Sequence, residues 1–133
     1  MKFDDFTGKV QHKAKLASTD EALAAIRATL ETLAARIAGN EAQNLAAQLP
    51  NEIGRYLEVK PLVESFSLAE FFDRVTEKEG VDKPVAVFHA RAVIDVLQEA
   101  ASAGEIDNIR AQLPEEWNPL FEQGAEGDLE ISG

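Results

Sequence analysis

Residues 20–57 can be laid over residues 84–121 at a constant shift of 64, and the two stretches match in kind along most of their length. Arg27 meets Arg91, Leu33 meets Leu97, Glu41 meets Glu105, Asn44 meets Asn108, and Gln48-Leu49-Pro50 meets Gln112-Leu113-Pro114. At a shift of 65 the preceding pieces correspond as well: Phe6 with Phe71, Val10 with Val75, Lys13 with Lys78. No other feature constrains the fold as much, because a unit written twice must form the same local structure twice. At about 55 residues it is longer than the commonest solenoid periods. Two such copies suggest a paired bundle rather than an extended stack.

Each copy reads as helical. Phe3, Phe6, Val10 and Ala14 recur at helical spacing and predict a short amphipathic helix. Ser18 with Glu21 three residues on has the form of a capping box, in which hydroxyl and carboxylate satisfy two orphan amides. A long helix should follow, since Leu23, Ile26, Leu30, Leu33 and Ile37 step by 3, 4, 3, 4 and draw one stripe. Gly39 is expected to close that helix and Asn40 to cap a third, which ends near Leu49. Pro50 can open a fourth short turn, where its missing amide costs nothing.

The second copy repeats the plan. Ser67 and Glu70 precede Phe71, Phe72 and Val75, Gly80 supplies a C-cap, and Asp82 with Pro84 marks the next start. Val87, Ala90, Ile94, Leu97 and Ala101 reproduce the stripe of the long helix, Gly104 and Glu105 start the third, and Pro114 starts the fourth. The long helix of this copy also carries Val85, Phe88, Val93 and Val96, so its apolar surface wraps further round. A helix apolar on two faces is buried on two faces. It should lie centrally, against its own copy and either the other copy or a second chain, the former being favoured. Trp117, matched by Ile53, is expected to seal the fourth turn, or else to anchor a partner.

The expected fold is therefore all-α: two tandem, similar helical units packed as one bundle. The domain spans 1–121, with repeats at 3–57 and 67–121, a linker at 58–66 and an acidic flexible tail at 122–133. The linker contains Pro61, and its Leu62, Val63 and Phe66 are apolar enough to lie against the bundle. The tail holds three glycines, four acids and no basic residue. Period-2 runs that would argue for strands are missing. A chain of 133 residues can bury about 68% of its unfolded surface, enough for a core without staples.

Charge narrows the functional classes. The net charge of −11 is uneven: residues 1–57 hold 7 basic and 7 acidic side chains, residues 58–133 hold 6 and 17. Phosphate binding needs clustered Lys and Arg, so nucleic acid and anionic lipid are poor partners for the second half. Cysteine is absent, which excludes disulfides, thiolate metal sites and cysteine nucleophiles. No signal-peptide core or membrane-length apolar run occurs, and the expected compartment is the cytosol.

Residues able to carry chemistry are sparse. His12 and His89 lie in different copies, and neither has Glu three residues before it or a His-Glu-x-x-His setting, so no metal or cofactor is expected. His89, among apolar neighbours, reads as a packed or interface histidine with a satisfied nitrogen. The fragment "TGKV" at 7–10 lacks the strand and spacing of a phosphate loop, and Ser18 and Ser67 are caps rather than nucleophiles. Glu115 and Glu116 read as solvated acids in a first turn. The matched Arg27 and Arg91 each sit four residues before an acid, Glu31 and Asp95. The plain reading is a surface ion pair; a sharper one has each arginine reaching the short helix of its own copy through Glu41 or Glu105.

The segments "LAAQLPNEIGRYL" and "IRAQLPEEWNPLF", each following a long Ala/Leu helix and a Gly-Asn or Gly-Glu break, resemble a bacterial family known as domain of unknown function 2267. "FDDFTGKV" with "EALAAIRATLETLAARI" is similar to that family's first unit, so the resemblance runs from residue 3 to about 121. It implies an all-α fold in a bacterial cytosol and brings no activity or site residues. Pro119 with Trp117 departs from the pattern in the last turn.

The functional expectation is a non-catalytic adaptor that docks a protein partner, with Phe88, His89 and Trp117 as its contact residues and homo-oligomerisation left open. The alternatives are a nucleic-acid-related regulator or acidic mimic of nucleic acid, and an enzyme of unknown class. Nucleic-acid binding is opposed by Glu52, Glu115 and Glu116 in the turns that would meet phosphates, whereas the charged second half permits the acidic mimic; an enzyme is opposed by the lack of an assembled nucleophile, base or metal set.

Overall fold

Three serines set the starts of three helices. In a computed structural model describing residues 1–38, 40–58 and 62–122, Ser18 Oγ accepts the Glu21 amide at 3.2 Å and Ser67 Oγ that of Glu70 at 3.1 Å. Ser102 Oγ accepts the Glu105 amide at 3.2 Å. The first box closes as expected in kind: the Glu21 carboxylate reaches back, to the Ala17 amide at 2.9 Å. Eight α-helices result among the described residues, with no strand: α1 (Phe3–Lys13), α2 (Thr19–Ala34), α3 (Glu41–Ala46), α4 (Asn51–Gly54), α5 (Leu68–Glu79), α6 (Lys83–Ala100), α7 (Ala103–Ala111) and α8 (Asn118–Glu122). A 3-10 turn, Glu115–Trp117, precedes α8. Gly80 closes α5 at φ 76°, a left-handed value that favours glycine.

The helices α1, α2, α5 and α6 pack as a bundle; α6 touches α1, α2, α5 and α8. This is the central position that its two apolar faces require. One continuous core joins Phe6 and Val10 of α1, Ile26, Leu30 and Leu33 of α2, Phe71, Phe72 and Val75 of α5, and Ala90, Val93, Ile94 and Leu97 of α6. Each large side chain buried there contributes about 1.5–3 kcal/mol relative to exposure. Val93 and Val96 are buried as the wide apolar surface predicts, but Val85 is 41% exposed, because it lies in the first turn of α6, beyond the reach of its neighbours.

Several boundaries differ from expectation, and at the end of α2 the second half of the chain supplies hydrogen-bond partners. The helix α2 was expected to run to Gly39 and stops at Ala34. Beyond it, Ala35 O accepts the Glu64 amide at 2.8 Å, Arg36 Nε donates to Phe66 O at 3.0 Å, and Ala38 is engaged by Gln112. Gly39, the expected cap, lies outside the described residues; Asn40 precedes α3 without making a side-chain cap bond. The helix α3 ends at Ala46 rather than near Leu49. Pro50 and Pro114 sit one residue ahead of the turns they start, not inside them. The start of α7 is set by Ser102, earlier than the Gly104–Glu105 pair suggested. Leu62 and Val63, expected against the bundle, are 88% and 51% exposed, while Phe66 is buried. Pro61 and the tail from Gln123 onward lie outside the described residues.

Candidate functional site

The most unusual polar chemistry sits where α3 packs on α7. Glu105 is the third residue of α7, and its amide is occupied by Ser102. Its carboxyl does not turn back over the helix start; it meets the carboxyl of Glu41, the first residue of α3. Glu105 is only 6% exposed and Glu41 half-buried, and each keeps one buried carboxyl oxygen (Oε2) without a hydrogen-bond partner among the described residues. Burial disfavours the charged form, and the facing Glu41 carboxyl adds a hydrogen bond and like-charge repulsion; together they push Glu105 up to about 7. Glu105 therefore keeps its protonated form to higher pH than an ordinary carboxyl does.

Two glutamines flank this pair. Gln112 Oε1 accepts the Ala38 amide at 2.7 Å while its Nε2 donates to Ala38 O at 3.2 Å. Gln48 Oε1 accepts the Ser102 amide at 2.7 Å. Ala38 and Ser102 are 64 residues apart, as are Gln48 and Gln112, and as are Glu41 and Glu105. Each half thus lends a glutamine to the backbone of the other at the same relative place, and the two glutamates meet in between.

The matched arginines part company. Arg27 is on the outer face of α2, with its side chain 66% exposed, and its Nε lies 3.2 Å from Glu31, which also draws Lys78 Nζ at 3.8 Å. The plain ion pair is what forms there, and the short helix α3 is met by Glu105 instead of by Arg27. Arg91 is 5% exposed, on a face of α6 that packs into the bundle, whereas Arg27 lies on the outer face of α2. Beside Arg27, a surface groove of about 460 Å³ is lined by Leu23, Ala24, Glu31, Tyr56 and Lys78.

The residues expected to meet a partner are largely turned inward. Trp117 is 1% exposed, edge-on to Phe71 at 5.2 Å, near Phe66 at 6.2 Å, with the Arg36 guanidinium 5.5 Å from its ring centre. His89 is buried, and its Nδ1 bonds the carboxylate of Glu79, the last residue of α5, tying that helix end to α6. Phe88 is half-buried, packed on the small cluster of Ala14 and Ala92. A partner reaches Trp117 or His89 only by displacing side chains of this chain. Glu79, the partner of His89, carried no sequence signal: the two lie on different helices and outside any spacing rule.

Elsewhere the surface is acidic. Glu70, Asp73 and Glu77 are exposed along α5, as are Asp107 on α7 and Glu115 and Glu116 in the 3-10 turn. Asp73 meets Lys83 at 2.8 Å, Glu70 is engaged by Arg74, and Glu116 Oε1 accepts the Leu68 amide at 3.2 Å, capping α5. Glu77, Asp107 and Glu115 point into solvent. Among the described residues, no three His, Asp or Glu side chains gather where a metal ion could sit, and no helix is long and apolar enough to cross a membrane.

Fold and junction together define an all-helical bundle protein with a buried carboxyl pair at the meeting of two short helices. Its residues 3–120 match the family model described as an uncharacterized conserved protein, DUF2267. The chain belongs to that family. No curated protein matches it.

Proposed function

We propose that the protein is a non-catalytic interaction module that docks a basic protein partner on the acidic surface of its second half. The observation that carries this reading is the charge asymmetry. Residues 58–133 hold 17 acidic against 6 basic side chains, and acids such as Glu77, Asp107 and Glu115 stand exposed. Such a surface steers a cationic partner and repels phosphate. Leu62 and Val63, exposed between Glu58 and Glu64, add apolar area of the kind that sits inside a polar rim at interfaces. The tandem-unit reading of the chain belongs to the same proposal: the reciprocal glutamine contacts support a duplicated half that packs on its twin.

The test compares affinity capture by the wild type and by the triple variant Glu77→Gln, Asp107→Asn, Glu115→Gln, at low and high ionic strength. The expected result is a stoichiometric basic protein held by the wild type, released by salt and lost with the variant. Capture indifferent to both salt and substitution would overturn the reading. So would tight, salt-dependent binding of duplex DNA by the purified chain.

A further inference from the structure

We infer that the contact between α3 and α7 is a proton-operated latch: a proton shared by the Glu41 and Glu105 carboxyls keeps it closed, and loss of that proton drives the two short helices apart. This inference is independent of what the protein binds.

The geometry carries the argument. Two carboxyls meet at the helix–helix contact, one of them nine-tenths buried, and each holds a buried oxygen with no hydrogen-bond partner among the described residues. A single shared proton turns this arrangement into a hydrogen bond between acid and carboxylate. With both groups ionised, it becomes two like charges shut away from water. On α7, Asp107 is exposed and Arg110 is bound to Glu122 and Asn118; on α4, which packs on α3, Glu52 is exposed, and just past its end Arg55 lies over the Tyr56 ring. The segments entering the two helices, through Ala38 and Asn40 and through Ala101 and Ser102, are uncharged. The position of Glu105, pushed up to about 7 by burial and then by Glu41, places the change near neutral pH.

The elements that would move are short. The helix α3 has 6 residues and α7 has 9, whereas the bundle helices α2 and α6 have 16 and 18 and share the large core. The Gln48–Ser102 and Gln112–Ala38 bonds lie outside the carboxyl pair and can hold the halves in register while the pair separates. Opening is thus local, of the kind drawn from the low-stability end of a structure.

Amide hydrogen exchange on the full chain, expressed as protection factors, tests this at pH 5.5 and pH 8. In the wild type, protection in α3 and α7 should fall about tenfold or more on going to pH 8, while α2 and α6 keep theirs. Glu105→Gln, which fixes a neutral hydrogen-bonding group in place, should abolish the fall. If that variant does not fold, Glu41→Gln carries the same test. Equal protection of α3 and α7 at the two pH values would overturn the latch. So would a loss shared equally by α2 and α6, or one that persists in the neutral variant.

Discussion

Gln112 grips Ala38 at both ends of its backbone, accepting from the amide at 2.7 Å and donating to the carbonyl at 3.2 Å, across 74 residues of chain. The mirror contact, Gln48 on the Ser102 amide, is made through one bond. A net hydrogen bond is worth about 0.5–1.5 kcal/mol. Gln112→Ala should therefore cost about 1–2 kcal/mol and Gln48→Ala about half as much, read from denaturant midpoints at unchanged slope.

Gly54 is required by a close approach. A Cβ there would lie 2.8 Å from the Ala46 carbonyl oxygen, a backbone atom with no freedom to swing aside. Gly54→Ala should destabilise by about 1–3 kcal/mol through forced separation of α3 and α4. Gly8, inside α1 with open space around it, is the control: Gly8→Ala should stabilise by about 0.5–1 kcal/mol. Thermal unfolding of the two variants side by side would show opposite shifts.

The two matched arginines should respond differently to the same change. Arg27→Gln removes an exposed i,i+4 ion pair and should alter stability by less than about 0.5 kcal/mol. Arg91→Gln truncates a buried side chain within the central helix and should cost at least about 2 kcal/mol. Comparable melting temperatures for the two variants would count against this difference.

His89 and Glu79 form a buried pair, with side chains 8% and 4% exposed. Removing one partner strands the other, so His89→Ala or Glu79→Ala alone should cost about 3–5 kcal/mol. A double variant, His89→Leu with Glu79→Leu, should lose clearly less than the sum of the singles. A double-mutant cycle with no coupling energy would show that the pair does not fasten α5 to α6.

Much of this fold was readable because local chemistry decided it. The stripe Leu23, Ile26, Leu30, Leu33 named the buried face of α2, Ser18 and Ser67 named two helix starts, and Gly80 named an end. What escaped was everything decided by the packing of one half on the other. The contacts just past the end of α2 are made by Glu64, Phe66 and Gln112, which come from elsewhere in the chain. Gln48 and Gln112 looked like ordinary residues of a helix end, and Glu41 looked like a partner for arginine. Ser102 with Glu105 has the capping-box spacing, but Gly104 between them drew the expected helix start forward. A usable signal did exist: polar residues kept identical at one fixed offset, Glu41 with Glu105 and Gln48 with Gln112, are candidates to meet one another when the halves pack face to face.

Burial against Glu41 is what raises the proton affinity of Glu105. Its ordinary value is 4.5 and its folded value is raised to about 7, so between these pH values the folded chain binds more proton than the unfolded one. Stability from this pair is fully present below pH 4.5 and is lost as pH rises toward and through about 7. The direct measurement is a pH titration of the side-chain carboxyl carbon of Glu105 by NMR, with Glu105→Gln to assign the resonance. A midpoint near 7 that moves down in Glu41→Gln is the expected result; a midpoint near 4.5, indifferent to residue 41, would contradict the account.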